Sequence, residues 1–224
     1  MQLIKMRDRM NFFTNAWDSD LAWSFRQAPL VMVAALMTTV IVLAAVLAPL
    51  IAPHDPFNPA TLNLMDGFTP PMTPNAMSGQ VYLLGTDNQG RDILSTILYG
   101  ARISLFVGFS AVLFAMVLGI FVGLVSAWRG GWIDSTLMRV ADIQLSFPSI
   151  LIALLIFGVA RSLIPVAYRE QMAIWVLIVA IGLSDWVQFA RVVRGAALVE
   201  KSKEYVQAAQ AIGVRPSRIV LTHI

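Results

Sequence analysis

Four long apolar stretches, separated by short charged or turn-rich segments, set the pattern of this chain. Leu30–Ile51 carries no charge and is followed by Pro53, so it predicts a first span; about 20 residues of helix cross a bilayer. Ile103–Trp128 is uncharged and predicts a second span. Val140–Ala160 predicts a third, with Asp142 near one end and Pro148 inside. Gln171–Ala190 predicts a fourth, containing Asp185 beside Trp186. The expected fold is therefore all-α and polytopic, a membrane helix bundle with four spans.

Polar positions between the spans assign the sides. Residues 1–29 carry Lys5, Arg7, Arg9 and Arg26, with Trp17, Trp23 and Phe25 approaching the membrane as interfacial aromatics do. This segment is expected in the cytoplasm. Residues 52–102 form the loop after the first span. Its stretch Pro53–Leu84 is broken by Pro56, Pro59, Pro70, Pro71 and Pro74 and has no Lys or Arg, so it is expected outside. Thr86 or Asp87 is expected to cap an amphipathic helix from about Arg91, lying on the outer interface. Trp128–Arg139 reads as a short cytoplasmic turn. Residues 191–224 hold Arg191, Arg194, Lys201, Lys203, Arg215 and Arg218 and complete an even number of spans with both ends inside.

Composition narrows the class. Of 224 residues, 58% are hydrophobic and 13% charged. That is about half the charge of an ordinary soluble domain, which fits an integral membrane protein. Net charge is only +3, in keeping with positive-inside loops rather than nucleic-acid binding. The absence of cysteine excludes disulfides and thiol chemistry. The Asp87–Asp92 run lacks the ligand alternation and terminal Glu of a calcium loop, so no metal is assigned. There is no phosphate-cradling Gly-x-x-x-x-Gly-Lys-Ser/Thr loop, no nucleophile–base pair and no implied cofactor. A non-catalytic subunit is expected.

Three features inside the spans have structural and functional readings. Gly119 and Gly123 form a Gly-x-x-x-Gly pattern that suits close helix contact in lipid. Pro148 is expected to kink the third span, either as packing or as a pivot beside a gate with Asp142. Asp185 is either a functional intramembrane carboxylate or a near-surface group paired with Arg191 or Gln188.

The last polar segment is the most informative. Ser202 is expected as N-cap, with Glu204 in the first turn. Tyr205, Ala208, Ala209 and Ile212 recur at helical spacing and give a nearly flat apolar face. Gly213 suits a left-handed helix stop and Pro216 the start of another helix. A flat face with few large apolar groups suits a protein groove better than a lipid surface.

This segment, QAAQAIG followed by RPSRIVLTHI, resembles the Glu-Ala-Ala loop of ABC-importer permeases. Ala208, Ala209 and Gly213 match that pattern; Gln207 stands where it has Glu. LLGTDNQGRDILSTILYGARISLFVG, RGGWIDSTLMRVADIQLSFPSILIALLI and FARVVRGAALVEKSKEYVQAA resemble the second permease of dipeptide and oligopeptide importers, a group shared with nickel and opine importers. The resemblance implies a type I ABC-importer fold in a bacterial cytoplasmic membrane. It implies a sister permease, two cytoplasmic ATPases and an extracytoplasmic peptide-binding protein as partners. It places ATPase contacts at Glu204, Tyr205, Ala208, Ala209, Ile212, Gly213, Val214 and Arg215. It also implies six spans, so the four found here suggest a truncated or incomplete sequence. Two other readings remain open: an ion-coupled transporter or channel using Asp142 and Asp185, and a non-transporting membrane scaffold.

Overall fold

The computed structural model describes residues 20–58, 62–75, 78–214 and 218–219. Its helices are α1 (Asp20–Gln27), α2 (Pro29–Val46), α3 (Ala48–Ile51), α4 (Ile93–Arg129), α5 (Gly131–Leu145), α6 (Ser149–Leu163), α7 (Arg169–Lys201) and α8 (Glu204–Ala211). No strand is present among the described residues. Three helical segments are long and apolar enough to cross a membrane: α2, α4 and the one that ends with α7. The α5–α6 pair, bent by 97°, is a fourth candidate. The structure is thus the expected all-helical membrane type. The chain divides into two compact units, residues 1–105 and 106–224.

In the first unit, α2 is apolar on every side and buries only Ala45. Thr38 and Thr39 donate their hydroxyls to Ala34 O and Ala35 O, both at 2.8 Å, so neither leaves an unsatisfied donor in hydrocarbon. The helix breaks at Leu47, and Pro49 sits in the first turn of α3. Lys5, Arg7, Arg9 and Trp17 lie outside the described residues.

The following loop folds on a buried polar knot. Asp66 is 1% exposed and accepts from the Tyr82 hydroxyl at 2.8 Å. Burial, and then this carboxylate, push the Tyr82 phenol up to about 12. The Thr86 hydroxyl donates to Asp66 O, and the Thr69 N–H donates to Thr86 Oγ1 at 2.9 Å. Gly85 adopts φ +78, and a Cβ there would lie 2.5 Å from Thr69 O; only glycine fits this turn.

Thr86 and Asp87 do not cap the next helix. Asp92 does, accepting from Ser95 N at 2.9 Å, and helical structure begins at Ile93 rather than near Arg91. Asp87 instead closes its own turn, taking the N–H groups of Gln89 and Arg91 at 2.8 and 2.9 Å and Arg91 Nε at 2.7 Å. Burial would raise its pKa, but these donors outweigh burial and hold it below the usual carboxylate value. The separate interfacial helix and the span expected from Ile103 are one uninterrupted 37-residue helix. No proline or other break separates Ile93, Ile97 and Leu98, which recur at helical spacing, from the apolar run that follows.

In the second unit, the remainder of α4 packs on α7. The Gly119–Gly123 pattern finds its partner there. A Cβ on Gly119 would lie 2.5 Å from Phe189 Cβ and 2.6 Å from Trp186 O; one on Gly123 would lie 2.6 Å from Ala190 O. Ala111 and Val107 meet Ile178 further along.

The short turn expected over Trp128–Arg139 shrinks to Gly130, at φ +60, because Gly131 already begins α5. The expected third span is not a kinked helix but a corner. Ser146 and Phe147 donate to Ile143 O and Gln144 O, closing α5. Pro148 then adopts an extended conformation (φ −56, ψ 130) as the N-cap of α6. A proline disfavours helical geometry in the residue before it as well as removing its own N–H.

Replacing Gly119 with Ala should force α4 and α7 apart and cost about 1–3 kcal/mol, read as a lower thermal midpoint of the detergent-solubilised chain. Gly108→Ala, where nothing lies within 4 Å of the new Cβ, should leave that midpoint unchanged.

Candidate functional site

The site is built where α4 ends, α5 begins and α7 runs out into α8. The long α7 helix carries Arg191, Arg194 and Lys201 on its last turns, and each finds a fixed partner. Arg194 grips Asp134 of α5 with two hydrogen bonds, Nε to Oδ1 at 2.5 Å and Nη2 to Oδ2 at 2.6 Å. Asp134 also accepts from the buried Ser126 hydroxyl of α4. A two-pronged guanidinium–carboxylate contact fixes orientation as well as distance. Lys201 donates to Ala127 O and Trp128 O at 3.1 and 3.0 Å, filling carbonyls that α4 leaves open at its C-terminus. Its ammonium also lies 5.4 Å from the Trp128 ring centre, within cation–π range.

A second tie holds α5 to α7 further along. Gln144 Nε2 donates to Leu183 O and Ser184 O, both at 2.9 Å. Its Oε1 accepts from Trp186 Nε1 at 3.0 Å. One side chain next to the Pro148 corner therefore satisfies three groups of α7.

Of the candidate gate residues, Asp142 pairs with Arg191 in an exposed contact. The expected pairing of Asp185 with Arg191 is not made. Six positions at about 100° each put the two on faces roughly 120° apart, and Arg191 turns to α5 instead. Asp185 is half-buried and makes no hydrogen bond or ion pair among the described residues.

After Lys201 the chain breaks direction. Ser202 is not the N-cap of α8: its hydroxyl donates to Val199 O at 2.8 Å and finishes α7. Lys203 takes the N-cap position with extended backbone. Glu200 then staples the junction, accepting from Lys203 Nζ at 2.7 Å and from the Tyr205 hydroxyl at 2.6 Å. Its carboxylate raises the pKa of both partners. Gln207 Nε2 donates to Ser202 O at 2.9 Å, so the residue standing in place of Glu is used inside the junction.

The two faces of α8 differ. Val206 (0% exposed) and Ala209 pack with Ile219 against Trp128 and Val214. Tyr205 (47% exposed), Ala208 and Ile212 (80% exposed) point away, as does Glu204. The sequence placed Ala209 on the outward face; one step of rotation puts it inward, and the outward strip is Tyr205–Ala208–Ile212. Gly213 ends the helix at φ +80. Val214 N–H bonds back to Ala209 O at 3.0 Å, a six-to-one closure that needs a left-handed residue before it. Arg215 and Pro216 lie outside the described residues.

Sequence reasoning missed Gln144 and Lys201 as structural ties. Lys201 was one of six basic residues in its segment, and nothing in its spacing distinguishes a helix-end cap. Asp134 and Arg194 are 60 positions apart and carry no local signal of pairing.

Residues 115–224 match the family described as binding-protein-dependent transport system inner membrane component. Residues 16–71 match the N-terminal TM domain of oligopeptide transport permease C. The chain belongs to this permease family. Its members are non-catalytic transmembrane components of ABC transporters, and the chain is a multi-pass protein of the bacterial cytoplasmic membrane. Among its relatives is the oligopeptide transport system permease protein OppC of Bacillus subtilis, 34% identical over 92% of this chain and 61% of the relative. The dipeptide transport system permease protein DppC of Haemophilus influenzae is 33% identical over 88% of this chain and 62% of its own length. The glutathione transport system permease protein GsiD of Pectobacterium atrosepticum is 36% identical over 67% and 46%. The chain spans about three fifths of the length of the first two.

Arg194→Ala leaves Asp134 without its guanidinium in a site where the two side chains are 31% and 19% exposed. It should cost about 1.5–3 kcal/mol. Removing Asp134 as well should recover part of that loss in a double-mutant thermal-melt cycle.

Proposed function

We propose that this permease passes dipeptides or oligopeptides across the cytoplasmic membrane, driven by a separate ATPase that docks on α8. The observation that carries the reading is the outward strip Tyr205–Ala208–Ile212, apolar and shallow, on a helix whose other face is pinned to the chain's own core. A short helix presenting such a strip fits a groove on another protein. Relatives named for oligopeptide, dipeptide and glutathione transport support the peptide substrate class.

The partners in this reading are a sister permease, two cytoplasmic ATPases and an extracytoplasmic peptide-binding protein. The substrate path runs between this chain and the sister permease. The chain's own residues transmit the motion. A push on α8 reaches α7 through Val206, Ala209 and the Glu200 staple. It reaches α4 through Lys201 and α5 through Arg194–Asp134. Because Arg194–Asp134 and the Lys201 cap are short, charge-assisted ties, the ends of α4, α5 and α7 move as one body, and α8 follows through its packed Val206 and Ala209 and the more exposed Glu200 staple. The Pro148 corner, which has no helical hydrogen bonds across it, is where α6 can turn relative to that body.

The unpaired Asp185 favours a second reading, in which an ion gradient drives transport. Vesicle uptake that needs only a proton gradient and no ATPase would establish that alternative.

Ile212→Asp puts a charge on the outward strip without touching the packed face. It should lower co-purification of the ATPase at least about tenfold, the loss expected when a buried apolar contact becomes an unpaired charge. Membrane insertion and thermal midpoint should not change. Undiminished ATPase capture would remove α8 as the docking element.

A further inference from the structure

At the opposite end of α7 from α8, a crevice of about 200 Å³, open mouth included, lies between α6 and α7. Its walls are Phe157, Ile164, Ala173 and Val176, and its only charged lining residues are Arg161 and Arg169. Arg169 Nε donates to Ile164 O at 3.1 Å, which fixes the guanidinium plane and leaves both terminal nitrogens uncommitted. Arg161 has no hydrogen bond or ion pair among the described residues. The neighbouring Glu170 is exposed and pairs with neither arginine.

Two further observations say what belongs there. Tyr168, just before α7, and Trp175, near its start, are both exposed, which puts this end of α7 at headgroup depth. The arginines also run against the charge bias of the unit. Arg191, Arg194, Lys201 and Lys203 all lie toward the α8 end, where positive charge is expected. Two arginines at the other end, neither with an acidic partner among the described residues, leave an anion missing from the account.

We propose that this crevice binds the phosphate headgroup of an anionic membrane phospholipid. Arg161 and the free nitrogens of Arg169 hold the phosphate, a planar donor fork matched to tetrahedral oxyanions. The start of an acyl chain lies along Phe157, Ala173 and Val176. Apolar walls beneath a charged rim suit a group that is anionic at one end and hydrocarbon at the other, and they give a free inorganic anion nothing to rest on. Phe157 belongs to α6, which buries none of its residues, so the wall continues into surface that lipid can cover.

The test uses the full chain in phosphatidylcholine nanodiscs with or without phosphatidylglycerol. Retained lipid is counted by native mass spectrometry after release into detergent. The wild-type chain should retain phosphatidylglycerol. Arg161→Gln should weaken retention roughly fivefold, and Arg161→Gln with Arg169→Gln roughly 25-fold, since each interfacial arginine contributes about that factor. The exposed Arg139→Gln should change nothing. The double Lys variant should keep most of the binding, which separates loss of charge from loss of fold. Equal retention by the wild-type chain and the double Gln variant would overturn the proposal. So would displacement of the lipid by inorganic phosphate alone or by a dipeptide, which would make the crevice a simple anion or peptide-carboxylate site.

Discussion

Close approach of α4 and α7 is the constraint on which the second unit depends. In lipid, two helices gain little from burying hydrocarbon, because the solvent is hydrocarbon too. They gain from backbone contact, and that needs residues without bulk. Gly119 and Gly123 let α4 come within van der Waals distance of the Trp186–Ala190 backbone. The distance so fixed brings the Lys201 ammonium onto the last carbonyls of α4 and Arg194 onto the Asp134 that also holds Ser126 of α4. Bulk at either glycine would open the seam and lengthen every polar contact at its end.

The polar contacts divide by how much water they exclude. Arg194–Asp134 and the Gln144 tie are partly buried and make several hydrogen bonds each. They fix one arrangement of α4, α5 and α7. Arg191–Asp142 and Lys203–Glu200 are more exposed and contribute little to stability. Their effect is local: one helps orient α5, and the other keeps α8 from swinging freely about the Ser202–Lys203 break. Rigidity therefore falls off from the α4–α7 seam toward α8, and again across the Pro148 corner toward α6.

The sequence revealed what repeats or punctuates. Apolar runs marked the spans, Gly213 marked the end of α8, and the Gly-x-x-x-Gly pattern marked a close contact, although only the structure says that α7 is the partner. What escaped was decided by tertiary geometry. Whether Ala208 or Ala209 faces outward depends on one step of helix rotation, set by Ile219 and Trp128 from elsewhere in the chain. Whether Pro148 bends a helix or turns a corner depends on where Ser146 and Phe147 send their N–H groups. The pairing of Asp134 with Arg194, and of Asp142 with Arg191, joins residues on different helices, and no local spacing encodes it.

The bareness of α2 has a consequence for how this chain can vary. Among the described residues α2 buries only Ala45, so within this chain its other positions are asked for little beyond apolar character. Valine, leucine, isoleucine and methionine are nearly interchangeable there. The α7 helix has no such freedom, because Ala180, Gly182 and Ala190 are sized to the neighbours they touch. Substitution should therefore drift quickly along the first span and slowly along α7, although the two are similarly greasy to the eye.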